Sequence, residues 1–180
     1  MSATHLLRSA YYVLETALLA PGIIVHESAH VLACRATGVT VTNGPVLNPF
    51  GADAYVDHER VESFPVDVTI AVAPLVVNTV LALVAFSLAQ FAPAFPLALP
   101  CYWLGVCFGL TAFPSAGDTE TLFRTARTLP RWGQPLGYTL AVPLRGFTKV
   151  PGSDGVAGFV WTFVCFGASE SLLVTGGALP

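Results

Sequence analysis

Apolar residues fill long stretches of this chain, and the returns of polar residues divide it into segments. The first apolar stretch covers residues 6–38 and is interrupted at Pro21-Gly22. Proline suits a first helical turn, so residues 21–36 read as a helix. Residues 9–20 read as an earlier helical half, joined through a kink to make one long crossing. Residues 39–64 are polar. Val39-Thr40-Val41 and Ala54-Tyr55-Val56 alternate with polar neighbours, and Asn43-Gly44-Pro45 and Asn48-Pro49-Phe50-Gly51 are turn-rich. This segment predicts short strands or a hairpin at a membrane surface, its far end made acidic by Asp53, Asp57, Glu59 and Glu62. Residues 66–89 predict a second crossing and 96–113 a third, with a turn over 90–96 where Pro93 and Pro96 break helix. Residues 118–131 are amphipathic and carry Arg124, Arg127 and Arg131. Residues 132–144 are apolar but short for a span; Arg145 and Lys149 extend them by snorkelling, or the segment lies in the interface. Residues 155–174 predict a last crossing with Glu170 near its end.

Composition turns this pattern into a class. The chain has 180 residues, 11% charged and 54% hydrophobic, with a mean hydropathy of +0.67. Soluble domains carry about 25% charged residues. No Asp, Glu, Lys or Arg occurs between Val68 and Gly117. As helix that run is roughly 75 Å long against a bilayer core of about 30 Å, so it crosses twice. The expected fold is an all-α membrane protein of four to five transmembrane helices, with a small strand segment after the first. It forms one integral membrane domain over 1–180, with a core at about 6–122 and C-terminal helices at about 132–175. Eight basic residues against eleven acidic ones offer no field for nucleic acid. Cys34, Cys101, Cys107 and Cys165 lack any CxxC spacing and read as reduced small hydrophobes. The N-terminal stretch reads as an uncleaved segment. Arg35, Arg60, Arg124, Arg127 and Arg131 fall on one side of alternating crossings, which predicts a multi-pass cell-membrane protein with that side cytoplasmic.

Chemistry enters at His26-Glu27-Ser28-Ala29-His30. On a helix, positions four apart share a face, and two imidazoles so placed can hold one zinc ion. Glu27, beside the first imidazole, reads as a proton acceptor for water. Ionisable residues inside an apolar helix each cost about 2.5 kcal/mol or more if charged, a cost that a bound divalent cation offsets. The alternative is a helix-end cluster open to water. A catalytic zinc needs a third protein ligand. Asp118, which ends the uncharged run, is the candidate; it reads otherwise as a cap of the next helix. Glu120 competes with it, while His5 and His58 are weak candidates in loops. Cys34 lies a turn beyond His30 along the helix axis and reads as packing. Asn78, in Ala73-Pro74-Leu75-Val76-Val77-Asn78, is either an interhelical hydrogen bond or a donor to substrate and oxyanion. Pro74 frees one carbonyl of its own helix. Glu15 and Glu170 read as polar packing or helix-end residues.

Together these residues resemble the site-2 protease-like family of intramembrane zinc metalloproteases. The HExxH is similar to that of the family's first core helix. The Ala73–Asn78 segment resembles its G-P-x-x-N, with Ala for Gly and one extra residue before the Asn. Phe113-Pro114-Ser115-Ala116-Gly117-Asp118 resembles the Pro-rich segment that ends in the Asp ligand. Against the family's N-x-x-P-x-P-x-L-D-G, only the Asp stays in register: Leu110, Phe113, Ser115, Gly117 and Thr119 stand at the other defined positions. The resemblance spans residues 6–122 and is that of a minimal, divergent member.

The resemblance implies a zinc endopeptidase that cuts membrane-spanning substrates. His26, His30 and Asp118 would be metal ligands, Glu27 the catalytic base and Asn78 a substrate-binding donor, with Zn2+ as cofactor and the site toward the cytoplasm. The expected partners are a transmembrane protein substrate and the lipid bilayer. The strand segment would offer an edge to a substrate unwound for cleavage. The alternative is a non-catalytic zinc-binding membrane protein that binds or sequesters transmembrane clients. A metal transporter fits less well, because acids and histidines along several crossings are sparse. The sequence assigns no oligomeric state.

Overall fold

A computed structural model describes residues 3–47 and 54–175. Six helices and one hairpin follow in the order α1 (Ala3–Thr37), β1 (Val41–Leu47), β2 (Ala54–His58), α2 (Phe64–Gln90), α3 (Phe95–Leu110), α4 (Leu122–Ala126), α5 (Gln134–Thr148) and α6 (Ser153–Thr175). Among the described residues three helices are long and apolar enough to cross a membrane: Ser9–Thr37 of α1, α2 and α6. At 16 and 15 residues, α3 and α5 reach about 24 and 22 Å, short of a full bilayer core.

α2 is the central element and packs against α1, α3, α4 and α6. Its buried face carries Ala71, Pro74, Asn78, Ala82, Ala85 and Ala89. Their spacing of three and four makes one helical stripe, and their small size lets neighbouring backbones approach. Large apolar residues lie on the other side: Val76, Val80, Val84 and Leu88 are 48–60% exposed. Close approach recurs between α3 and α6, where a Cβ on Gly158 would collide with the Leu110 carbonyl.

α1 stays helical through Pro21, so the two halves of the sequence reading form one helix from Ala3 to Thr37. α1 packs against α2 and α3, and proline removes one backbone bond of the helix without ending it. Local structure departs from the sequence reading at two places. The Asn43-Gly44-Pro45 stretch lies inside β1, where the antiparallel register to β2 shifts between Val41 and Asn43 and between Asn43 and Val46. Those shifts absorb the residues expected in a turn. Residues 48–53, which include the Asn48-Pro49-Phe50-Gly51 stretch and Asp53, lie outside the described residues. Finally, the amphipathic stretch 118–131 contains only the five-residue α4. Threonine hydroxyls there bond to the backbone and to α2, in competition with helix continuation.

The tie between α2 and α4 is Asp67, 3% exposed. Its Oδ1 and Oδ2 accept hydrogen bonds from Thr121 and Thr125 hydroxyls, both at 2.6 Å. Arg124 adds a bond to the Val61 carbonyl at 3.1 Å. Replacing Asp67 with Ala removes two charge-assisted bonds and should cost about 2–3 kcal/mol of stability. Thermal unfolding in detergent, followed by circular dichroism, should show a lowered midpoint, partly recovered in Asp67→Asn.

Candidate metal centre

His26 and His30 stand one turn apart on the buried face of α1, at 9% and 4% exposure. Their ring centroids are 5.0 Å apart and the rings are inclined at 72°. Each Nδ1 meets a backbone carbonyl from another part of the chain: His26 meets Thr111 O at 2.6 Å, and His30 meets Ile70 O at 2.9 Å. A carbonyl only accepts, so each Nδ1 carries a proton. In the neutral imidazole that leaves a lone pair on Nε2. The two Nε2 atoms are 3.3 Å apart.

Asp118 completes the group. It lies between α3 and α4, with Oδ2 3.5 Å from His26 Nε2 and Oδ1 3.1 Å from His30 Nε2. Ligand atoms at 2.0–2.1 Å from one tetrahedral ion stand about 3.3–3.4 Å apart; one ligand atom from each of the three residues lies within 4.8 Å of the others, close enough to draw together on a single cation. Two nitrogens and a carboxylate oxygen are also a donor set that suits a transition-series divalent ion. Among the described residues this is the one group of three such side chains whose ligand atoms can share an ion.

Asp118 does not cap a helix. Its Oδ2 accepts the Ser115 backbone N–H at 2.6 Å, and its own N–H bonds the Ser115 hydroxyl at 3.3 Å, closing a tight turn. The loop is held from α5: Thr148 and Thr119 hydroxyls meet at 2.6 Å, and the Arg145 guanidinium bonds the Ala116 carbonyl. Arg145 is thus engaged with the backbone of this loop.

Glu27 is 5% exposed and makes no hydrogen bond among the described residues. With His26 it lines a cavity of about 720 Å³, bounded by the N-terminal half of α1, the end of α3 at Leu110 and Thr111, and the start of α6. That volume lies in the range of small-ligand sites. Glu15 and Asp154 are further along its walls.

The other candidates fall elsewhere. Asn78 is fully buried, and its amide nitrogen donates to Thr111 Oγ1, Thr111 O and Gly22 O at 2.9, 3.1 and 3.3 Å. Its donors are taken up by these protein acceptors. Cys34 is fully buried against Ala33, Val61 and Ile70. His5 lies in α1 and His58 ends β2, where its Nδ1 bonds the Glu59 carbonyl at 2.8 Å. Glu120 and Glu170 are exposed. Sequence reasoning missed Thr111, Ser115, Thr119, Arg145 and Thr148, all of which brace the ligands. Their only signal was a density of hydroxyl residues around Asp118.

No family model, no curated protein and no solved structure matches this chain.

Proposed function

We propose that the protein is a zinc-dependent endopeptidase of the membrane interior, acting on membrane-spanning substrates. The observation that carries this reading is the placement of an unpartnered, buried Glu27 beside His26, His30 and Asp118 on a cavity wall. With each Nδ1 bonded to a carbonyl, the neutral imidazoles turn lone pairs toward a carboxylate, an arrangement that a bound cation stabilises. A carboxylate without hydrogen bonds has its acceptor capacity free for a proton.

His26, His30 and Asp118 would hold the ion. Bound zinc supplies a Lewis acid that polarises a carbonyl and acidifies water. Glu27 takes a proton from the attacking water as its oxygen bonds to the peptide carbon. The carbon–nitrogen bond then breaks, and Glu27 passes the proton to the leaving nitrogen. The cavity admits a stretch of chain with its helical bonds undone. The two-stranded β1–β2 ladder has outer edges that such a stretch can join.

In this reading α1, α2 and α6 span the bilayer, α3 enters it, and the exposed Val76, Val80, Val84 and Leu88 stripe faces lipid. Arg35 ends α1, and Arg124 bonds Val61 at the start of α2, so these basic residues share one end of the bundle. By the positive-inside rule that end is cytoplasmic, and the metal group lies toward it.

Purified protein should hold about one zinc per chain by elemental analysis, and Asp118→Ala should lose it. Glu27→Gln should keep the zinc and cut a transmembrane peptide in proteoliposomes at least about 100-fold more slowly. Cleavage unaffected by Glu27→Gln sinks the enzymatic reading. Client binding that survives Glu27→Gln but fails with His30→Ala, without cleavage by the parent chain, establishes a binding protein instead. Proline replacements at alternate β1 positions should slow cleavage if the hairpin edge receives substrate.

A further inference from the structure

Pro74 and Asn78 stand one turn apart on the buried stripe of α2, both fully buried. Neither touches the proposed ion, yet each bears on an atom that holds one of its imidazoles.

In a helix the carbonyl of residue 70 accepts the N–H of residue 74. Residue 74 is proline and has no N–H. The Ile70 carbonyl is left free by this, and it is the atom that accepts His30 Nδ1–H at 2.9 Å. The second imidazole is served similarly. Thr111 ends α3 as its C-cap residue, where carbonyls lack intrahelical donors. Its carbonyl accepts His26 Nδ1–H at 2.6 Å and the Asn78 amide at 3.1 Å, which fills both lone pairs. Asn78 also donates to the Thr111 hydroxyl, which in turn donates to Cys107 O at 2.8 Å. Thr111 is thereby fixed at both its backbone and its side chain. Asn78 leaves its own Oδ1 buried without a partner. Turning the amide over would satisfy nothing, because it would set an oxygen against the Gly22 and Thr111 carbonyls. Gly22 completes the junction: a Cβ there would collide with Cys107 O and Thr111 Oγ1.

We infer that Pro74 and Asn78 are a paired positioning element for the metal ligands, Pro74 acting on His30 through Ile70 O and Asn78 acting on His26 through Thr111. Each sets the tautomer and rotation of its imidazole, so that both Nε2 atoms meet Asp118. The inference rests on the metal-binding reading above.

The test is zinc affinity of the full-length chain in detergent, read by competition with a chromophoric chelator, together with thermal stability and the visible spectrum of the cobalt form. The parent chain must bind zinc; if it does not, the metal reading fails, independently of this one. Pro74→Ala restores an N–H that competes for Ile70 O. It should weaken zinc binding about 10–100-fold, the usual cost of losing an outer partner of a ligand, while leaving the apo chain as stable or more so. A purely structural proline would change in stability alone. Asn78→Asp, matched in shape, should weaken zinc binding by a similar factor and shift the cobalt bands. Asn78→Ala serves the same purpose if the aspartate variant does not fold. Two controls read the background. Pro100→Ala removes another in-helix proline, and Thr79→Val removes a different α2 hydrogen bond, that of Trp161 at 2.8 Å. Both should leave zinc affinity within about two-fold, well under the cost of a lost ligand partner. Zinc affinity unchanged in Pro74→Ala and in the Asn78 variants, or lowered equally in the controls, overturns the inference.

Discussion

Three lone-pair-bearing groups face one another inside an apolar bundle, and most of the polar architecture of this protein follows from that juxtaposition. His26 and His30 each turn Nδ1 toward a carbonyl, which directs Nε2 toward Asp118. In low-dielectric surroundings a positive charge placed among such groups stabilises them. The helix alone supplies two of them by its four-residue spacing. The third comes from a loop, and a loop needs ties. Ser115, Thr119, Thr148 and Arg145 supply them locally, and Asp67 with Thr121 and Thr125 anchors the segment that follows.

The frame around this group is built from small buried residues and helix ends. Small side chains let neighbouring backbones come close, so close approach and hydrogen bonding carry much of the packing between helices. Close approach has a chemical return here. It places main-chain carbonyls of α2 and α3 within reach of side chains on α1, and these acceptors hold a fixed position better than long side chains do.

Much of this was legible in the residues. The HExxH spacing put both imidazoles and Glu27 on one turn of helix. The uncharged run implied two apolar helices with a turn between, and the structure has α2 and α3 there, though α3 is short. The alternation around Val41 and Tyr55 implied the hairpin. What stayed hidden were relations rather than elements. Asn78 could be read as a buried amide or a substrate donor, because its partners, Gly22 and Thr111, lie far away in sequence. Pro74 announced a missing N–H but not who would use the carbonyl. The stretch after Asp118 has helical periodicity, yet its hydroxyls prefer other acceptors, and only five residues remain helical. Pro21 marked a joint between two helical halves, and the chain stays helical across it.

The grip of α5 on the 115–119 loop alters how the molecule can be divided. Residues 6–122 look like a self-sufficient unit when only ligands are counted, and the last third looks like an appendage. Arg145 and Thr148 belong to that last third, and they clasp the turn that presents Asp118. Evolutionary trimming or grafting of this chain therefore has no seam to follow between the two parts: a minimal version that ended after α4 would keep all three ligands and lose the clasp that aims one of them.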